Sequence, residues 1–325
     1  MKTLVRGLLT AVALIVVLAA VGWLALQRKD IPYDSLEAKY DSPASRYMDL
    51  PSGLHVHYRD VGRRNGPVLV LLHGYGASLL AWEPWVRSLS GDYRVITLDL
   101  PGHGLTRADR GYAGGRAGFG EVVDQVTRRL GVERFTLVGN SMGGGVAWGY
   151  AVDHPDKIEG LVLVDAAGWP STGGNKALIF KFLRQPLGRA LLSNIDTRPM
   201  IRQSLLVAYL DPKLVTPELI DRYTELSRAP GHRAILRGLQ TGPGPVATPE
   251  VLSRIKAPTL VMFGEEDRLI PVAYARRFAD TIPGASLIIY PHIGHVPMEE
   301  IPDRSAADLR AWLKAKVYPA TVPKP

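Results

Sequence analysis

The chain has 325 residues, of which 46% are hydrophobic and 22% charged, and this balance excludes a globally disordered protein. It contains no cysteine, so disulfide bridges, thiolate metal sites and a cysteine nucleophile are excluded. The formal net charge is +8, but no nucleic-acid reading motif accompanies the basic residues, and we therefore expect no nucleic-acid partner.

The positive charge is concentrated in two segments. Residues 1–30 hold four basic side chains and one acidic side chain. Residues 168–246 hold 11 basic and 5 acidic side chains, a net charge of +6. The remainder of the chain is nearly neutral, so the protein is not uniformly basic.

The first predicted element is an apolar run at residues 8–26. As a helix that rises ~1.5 Å per residue, it is about as long as the hydrocarbon core of a bilayer is thick. Trp23 fits an interfacial position, and Arg28 and Lys29 end the run. We therefore predict an uncleaved membrane anchor within residues 1–30, with the remaining protein on the exported side. The alternative is a signal peptide whose cleavage would leave a secreted protein.

After this segment, apolar runs bounded by turn residues predict strands that alternate with helices. The predicted strands are 54–58, 68–72, 93–100, 135–138, 161–164, 259–263 and 287–290. The predicted helices are 79–89, 120–130, 142–152, 272–282 and 304–316. This alternation predicts an α/β fold with a mostly parallel sheet and helices on both faces.

The alternation stops within residues 168–246, where helical patterns occur at 177–192 and 217–227 without a convincing strand. We therefore predict that residues 168–246 form a helical insertion, called the insertion below. It divides the predicted core into a first part, residues 31–167, and a second part, residues 247–325.

The segment Gly139-Asn140-Ser141-Met142-Gly143 lies between a predicted strand and a predicted helix. The G-x-S-x-G pattern is typical of a nucleophile elbow, in which a tight turn leaves no room for β-carbons beside the serine. The turn places the hydroxyl at a helix N-terminus, where partial positive charge favours a developing anion. We therefore predict Ser141 as the nucleophile. The alternative is a glycine-rich packing turn with an incidental serine.

A serine hydroxyl needs a general base, and the base needs an acid that orients it. Two histidines follow the last predicted strand, and His295 is preferred over His292 because Gly294 permits a tight bend just before it. Asp267, in the loop after strand 259–263, is the predicted acid. The alternatives for the acid are Glu265, Glu266 and Asp165.

Acyl transfer also requires hydrogen-bond donors for an oxyanion. Tyr75 has a glycine on each side in the segment 73–76, so its backbone N–H can point into a site. The N–H of Met142, directly after the nucleophile, is the predicted second donor. We interpret His73 and His103 as structural. The spacing of His, Asp and Glu along the chain does not match a metal-binding motif, so we predict neither a metal nor another cofactor.

Together these segments resemble the α/β-hydrolase fold superfamily. Ser141, Asp267 and His295 follow the nucleophile–acid–histidine order of that superfamily. The segments that resemble its signatures are 73–76, 99–104, 139–144, 264–267 and 294–302. The resemblance covers roughly residues 48–316 apart from the insertion. It implies an α/β-hydrolase fold in which the insertion is a helical cap over the active site.

The resemblance points to two substrate classes. A bulky residue at position 75 is similar to the oxyanion loop of lipases and esterases, whereas residues 139–144 are similar to carbon–carbon hydrolases that cleave ring-fission products. Those hydrolases commonly carry small residues and a proline after His-Gly, and residues 75–78 depart from that pattern. A serine nucleophile disfavours dehalogenases and epoxide hydrolases, which use aspartate, while cofactor-free perhydrolases remain an alternative.

We therefore expect a membrane-anchored serine hydrolase of the esterase and lipase branch. It would cleave small-molecule esters with apolar groups through an acyl-enzyme intermediate. The alternative reaction is carbon–carbon hydrolysis of ring-fission products. The alternative from another class is a non-catalytic binding protein on a hydrolase scaffold, which is disfavoured because every catalytic role has a candidate residue.

Overall fold

A computed structural model describes residues 2–108, 112, 117–170, 185, 194–241 and 246–319. The predicted helix at 177–192 lies outside these residues apart from Gln185. The strands are β1 (Ser45–Asp49), β2 (His55–Gly62), β3 (Val68–Leu72), β4 (Arg94–Leu98), β5 (Phe135–Asn140), β6 (Ile158–Val164), β7 (Thr259–Gly264) and β8 (Ser286–Tyr290).

These strands form one eight-stranded sheet in the order β1-β2-β4-β3-β5-β6-β7-β8. The first two strands pair antiparallel with each other, and β2 pairs antiparallel with β4. All later pairings are parallel. The carboxyl ends of the parallel strands therefore meet at one edge of the sheet, where ligands bind in open α/β folds.

Helices cover both faces of the sheet. The helices of the described residues, including those away from the sheet, are α1 (Lys2–Leu26), α2 (Tyr33–Tyr40), α3 (Glu83–Leu89), α4 (Ala117–Arg129), α5 (Met142–Asp153), α6 (Arg198–Ala208), α7 (Pro217–Leu226), α8 (His232–Thr241), α9 (Pro249–Leu252), α10 (Ala273–Thr281), α11 (Pro297–Glu300) and α12 (Pro302–Trp312). Short 3₁₀ turns lie at Leu79–Trp82, Pro155–Lys157 and Pro212–Leu214, and a π turn at Leu313–Val317 extends α12.

Two large apolar layers cover the faces of the sheet, and they follow from the alternation of side chains along each strand. Val70 and Leu72 of β3 pack with Phe119 of α4 and Val146 of α5 on one face. Leu69 and Leu71 of the same strand belong to the opposite layer, and its remaining members include Trp85 of α3 and Leu309 of α12. The predicted α/β sandwich with helices on both faces is therefore confirmed.

All seven predicted strands occur, and the structure adds β1, which the sequence did not predict. This edge strand has the sequence Ser-Arg-Tyr-Met-Asp, and its burial pattern does not alternate cleanly. It becomes a strand because it pairs antiparallel with the next strand, β2, and its own residue pattern does not indicate this pairing. The predicted helix at 79–89 is divided into a 3₁₀ turn and α3, with Pro84 near the start of α3.

The N-terminal helix α1 stands apart from the core. Within Val5–Leu26 the mean hydropathy reaches 2.6, and none of this stretch is buried against the rest of the chain. Within the described residues it is the one helix that is long and apolar enough to span a membrane. Its length fits a hydrocarbon core of ~30 Å.

The C-terminal end of α1 is hydrogen-bonded to the insertion. The N–H of Asp196 donates to Leu26 O at 2.7 Å, and the N–H of Arg28 donates to Asn194 O at 2.6 Å. The side chains of Arg28 and Asp196 form an ion pair at 3.0 Å. The last turn of α1 therefore continues directly into contacts with the segment that leads into α6.

A second group of contacts holds the next residues of the chain against α7 and α8. The buried guanidinium of Arg233 donates to Arg28 O at 2.8 Å and pairs with Asp30. Arg228 donates to Lys29 O at 2.8 Å. Residues 26–30, which follow the last turn of α1, are therefore held against the insertion and do not form a free linker.

Candidate active site

Ser141 lies at a strained turn between β5 and α5. Its backbone has φ 53° and ψ −116°, a region that side-chain-bearing residues rarely adopt. A β-carbon at Gly139 would lie 2.2 Å from Gly143 O, and one at Gly143 would lie 2.3 Å from Leu72 O. Both glycines are therefore required by close backbone approach, which is the physical reason for the G-x-S-x-G pattern.

The loop after β3 lies directly against this turn. A β-carbon at Gly74 would lie 3.2 Å from Ser141 Cβ. Met142 is the first residue of α5, so its N–H has no partner within the helix. The hydroxyl of Tyr75 donates to Leu236 O of α8 at 3.1 Å, which connects this loop to the insertion. Tyr75 follows Gly74, which lies against the turn, and Met142 follows Ser141, while the oxyanion role of their N–H groups stays a prediction.

His295 and Asp267 form a buried pair. Their side chains are 6% and 0% exposed, and His295 Nδ1 lies 2.7 Å from Asp267 Oδ2. Because an ionised carboxylate only accepts hydrogen bonds, we assign the ring proton to Nδ1, which leaves Nε2 as a proton acceptor. Asp267 Oδ1 accepts from the N–H groups of Leu269 at 2.7 Å and Ile270 at 3.0 Å.

The backbone of His295 contacts both the elbow and the insertion. Asn140, the residue before Ser141, donates from Nδ2 to His295 O at 3.1 Å. The N–H of His295 donates to Ala208 O at the end of α6 at 2.8 Å. The hydrogen bonds of the described residues do not include one from the Ser141 hydroxyl to His295. Such bonds commonly tighten only when substrate is bound.

Glu300 holds the loop that carries His295. Its Oε1 accepts from the N–H of Gly294 at 3.0 Å, and its Oε2 accepts from the N–H of Leu210 at 2.9 Å. Burial raises the pKa of Glu300. In the sequence this residue is only one position of a segment that resembles a superfamily signature, whereas its contacts join the His295 loop to the insertion.

The rival residues lie elsewhere. The imidazole of His292 is 88% exposed and faces Glu266 on the surface, with Nδ1 and Oε1 3.0 Å apart. Glu265 is also exposed. The structure therefore brings His295, and not His292, against Asp267, and leaves the two glutamate alternatives at the surface.

Asp165, the last alternative acid, lies beside the pair. It follows β6, is completely buried, and accepts at Oδ1 from the N–H of Gly264 at 2.9 Å. Burial raises the pKa of Asp165 well above its ordinary value, and the charge of Asp267 raises it further. One side-chain donor atom from each of Asp165, Asp267 and His295 lies within 4.8 Å of the others, a spacing that could also hold a cation. His295 and Asp267 are already paired with each other in this cluster.

Two further histidines, His73 and His103, are buried in the loops around the site. His73 accepts at Nε2 from the N–H of Leu100 at 3.0 Å, and burial lowers its pKa. His103 packs against His73, and burial lowers its pKa well below the ordinary value. Both are fully buried in loops at the carboxyl edge of the sheet. These contacts agree with the structural role expected of them.

Residues 67–302 match the family model of the α/β hydrolase fold. The chain belongs to this family. A 2-hydroxy-6-oxononadienedioate/2-hydroxy-6-oxononatrienedioate hydrolase of Burkholderia vietnamiensis (strain G4 / LMG 22486) is 32% identical over 272 residues, which are 78% of this chain and 90% of that protein. A 2-hydroxy-6-oxo-6-phenylhexa-2,4-dienoate hydrolase of Burkholderia cepacia is 29% identical over 280 residues, 78% of this chain and 91% of that protein.

Among solved structures, this α/β hydrolase is similar to a membrane phospholipase A that is described as a bacterial virulence factor. The two share 26% identity with a TM-score of 0.70, over 97% of this chain and 99% of the phospholipase. The predicted fold and superfamily are thus confirmed, as is the prediction of a hydrolase. The two relatives are named as hydrolases of a dienoate and of dienedioates or trienedioates, and neither name mentions an ester.

Proposed function

We propose that this α/β hydrolase is a membrane-anchored serine esterase that cleaves carboxylic esters with apolar groups. The observation that carries the chemistry is the strained turn at Ser141 together with the buried pair of His295 and Asp267. A nucleophile at an elbow and a base oriented by an acid are the parts that acyl transfer requires. The insertion is the proposed cap over this site.

The reaction begins when His295 Nε2 takes the proton of the Ser141 hydroxyl while Oγ attacks the ester carbonyl. The negative charge that develops on the carbonyl oxygen is stabilised by the N–H groups of Tyr75 and Met142. His295 then donates the proton to the leaving alkoxide, and an acyl-enzyme remains. Water then attacks the acyl carbon while His295 takes its proton. His295 returns the proton to Ser141 Oγ, and the carboxylic acid leaves. Asp267 keeps the imidazole in the correct tautomer throughout.

The placement of α1 supports an ester that resides in a membrane. Residues 26–30 are hydrogen-bonded to the insertion, so a bilayer that contains α1 lies close to α6, α7 and α8. The similar membrane phospholipase A matches 97% of this chain. The predicted charge of +6 on the insertion favours contact with anionic headgroups, where each cation contributes on the order of 1 kcal/mol.

Carbon–carbon hydrolysis is the second candidate, and the identity to the dienedioate and dienoate hydrolases favours it. The deciding experiment offers the full-length protein, in detergent and in vesicles, p-nitrophenyl esters from acetate to laurate, a phospholipid and a ring-fission dienone. We expect turnover of the esters, greatest for apolar acyl groups, and its loss in Ser141→Ala. Turnover of the dienone with little ester hydrolysis would instead establish the second candidate.

The proposed anchor is tested separately. Alkaline extraction of membranes should leave the full-length protein in the pellet, and its intact mass should include residues 1–30. Protease added from outside spheroplasts should cleave the core if it lies on the exported side. A mature chain that begins after residues 20–22 would replace the anchor with the signal-peptide alternative.

A further inference from the structure

Asp165 is a fully buried carboxyl group that the proposed reaction does not use. Its backbone has φ 44°, and its Oδ1 accepts from the N–H of Gly264 at 2.9 Å. Its Oδ2 is buried and, among the residues that the structure describes, has no hydrogen-bond partner. A buried polar atom without a partner is costly, and the cost is greatest when the group is charged.

The neighbouring carboxylate of Asp267 has one acceptor position to spare. A carboxylate offers about four lone-pair sites. The N–H groups of Leu269 and Ile270 occupy two sites on Oδ1, and His295 Nδ1 occupies one on Oδ2. The remaining site is open to a donor, and side-chain oxygens of Asp165 and Asp267 lie within 4.8 Å of each other.

The charges around Asp165 disfavour a second ionised carboxylate there. The charges of Asp267 in the β7–α10 loop and Glu300 in α11 both raise the pKa of Asp165, and His295 completes the cluster. Tyr290 of β8, whose hydroxyl donates to Asp308, also interacts electrostatically with Asp165. Two carboxylates in one dry site do not both ionise, because like charges repel strongly where water cannot screen them. Burial and the charge of Asp267 both raise the pKa of Asp165.

We propose that Asp165 is a protonated positioning residue, which donates a hydrogen bond from Oδ2 to the carboxylate of Asp267 and so holds Asp267 against His295. The inference rests on the proposed roles of Asp267 and His295. Asp165 and Asp267 then carry one negative charge between them. That charge balances the imidazolium formed when His295 takes the proton of Ser141.

The chain offers a matched pair of variants at this position. Asp165→Asn keeps an acceptor for the Gly264 N–H and supplies a neutral donor toward Asp267, and Asn tolerates a positive φ better than most residues. Asp165→Gly also accepts the positive φ but removes the side chain. Comparing the two variants separates the backbone requirement from the hydrogen bond.

We expect Asp165→Gly to lower kcat for ester hydrolysis by roughly tenfold or more, because hydrogen bonds to charged groups are among the stronger ones. Asp165→Asn should recover most of that loss. When kcat/KM is plotted against pH, the acid limb for this variant should coincide with that of the wild type, because a neutral amide replaces a neutral carboxyl group. A shift of the limb by about one pH unit would show that the wild-type group is ionised and overturn the proposal.

Two measurements do not depend on turnover. The infrared spectrum of the wild type at pH 7 should contain a carboxylic-acid C=O band that is missing in Asp165→Asn. The Tm of Asp165→Asn relative to the wild type should rise as the pH is raised from 4 to 7. Above the ordinary carboxyl pKa of ~3.9, the unfolded wild type releases a proton that the folded protein retains, and folding of the wild type therefore weakens.

The absence of the infrared band, or a Tm difference that is independent of pH, would overturn the inference even in an active esterase. Conversely, failure to hydrolyse any ester would remove the proposed function, while the band and the pH-dependent Tm would still report the protonated group. The two failures are therefore distinguishable.

Discussion

The backbone N–H of His295 donates to the carbonyl oxygen of Ala208 at 2.8 Å, which joins the proposed general base to the last residue of α6. This helix of 11 residues, about 16 Å long, begins two residues after Asp196, which pairs with Arg28 at the end of α1. One helix therefore links the exit of the proposed membrane anchor to the loop of the proposed base.

The first prediction concerns the proposed triad. Ser141→Ala should lower ester turnover by several orders of magnitude, and adding His295→Ala should cost little more, since the residues act as a unit. The measurement is kcat/KM for each single variant and the double variant. His292→Ala is the matched control, because its exposed ring lies away from Asp267, and it should retain near-native turnover. Near-native activity of Ser141→Ala would place the nucleophile elsewhere.

The second prediction concerns Glu300. Glu300→Gln keeps one oxygen acceptor but replaces the other with an amide donor, which meets the N–H of either Gly294 or Leu210. A lost hydrogen bond to a charged acceptor costs about 1.5–3 kcal/mol, so the His295 loop should loosen and kcat should fall roughly tenfold or more.

The control for Glu300 is Asp303→Asn, an exposed substitution in the first turn of α12. We expect no measurable change in kcat for this variant. Equal kcat in Glu300→Gln and the wild type would show that the carboxylate does not position the loop.

The third prediction concerns pH and stability. The buried Asp99 accepts from Leu79 N–H at 2.7 Å and from Leu105 N–H at 2.9 Å, and it pairs with His57 at 2.7 Å. Burial alone would raise the pKa of Asp99, but these contacts lower it overall. Its contribution to the free energy of unfolding is therefore present above the ordinary carboxyl pKa of ~3.9 and is lost as the pH falls through the lower folded value.

Asp99→Asn should accordingly lower the free energy of unfolding by about 3 kcal/mol at neutral pH, and the difference from the wild type should shrink below about pH 4. Thermal unfolding across a pH series measures both effects. Asp49→Asn is the matched control, because Asp49 pairs with His55 at the surface with its side chain 87% exposed. It should change stability little at any pH.

The fourth prediction concerns the junction between α1 and the insertion. Arg233→Ala removes the buried guanidinium that bonds Arg28 O and Asp30. If this junction holds the insertion at the bilayer, hydrolysis of a vesicle-borne ester should fall several-fold, while hydrolysis of a short soluble ester should persist. Arg254→Ala, at an exposed position between α9 and β7, should affect neither substrate. Parallel loss on both substrates would indicate a folding defect instead.

The sequence by itself determined the α/β architecture and the position of the elbow. Both follow from local rules, since apolar periodicity reports which face of an element is buried, and the glycines at 139 and 143 report a turn too tight for β-carbons. The apolar run that forms α1 was equally evident, because length and hydropathy are properties of a continuous segment.

Tertiary structure decided which polar residues meet. The sequence favoured His295 and Asp267, but the fold shows that His295 is buried against Asp267 whereas His292, three residues earlier in the same loop, is exposed. The fold likewise buries Asp165 beside His295 and Asp267, and it brings residues 26–30 into hydrogen-bonding contact with the insertion. These contacts join segments far apart in the chain, and their energies depend on burial and mutual geometry, which no local pattern of residues specifies.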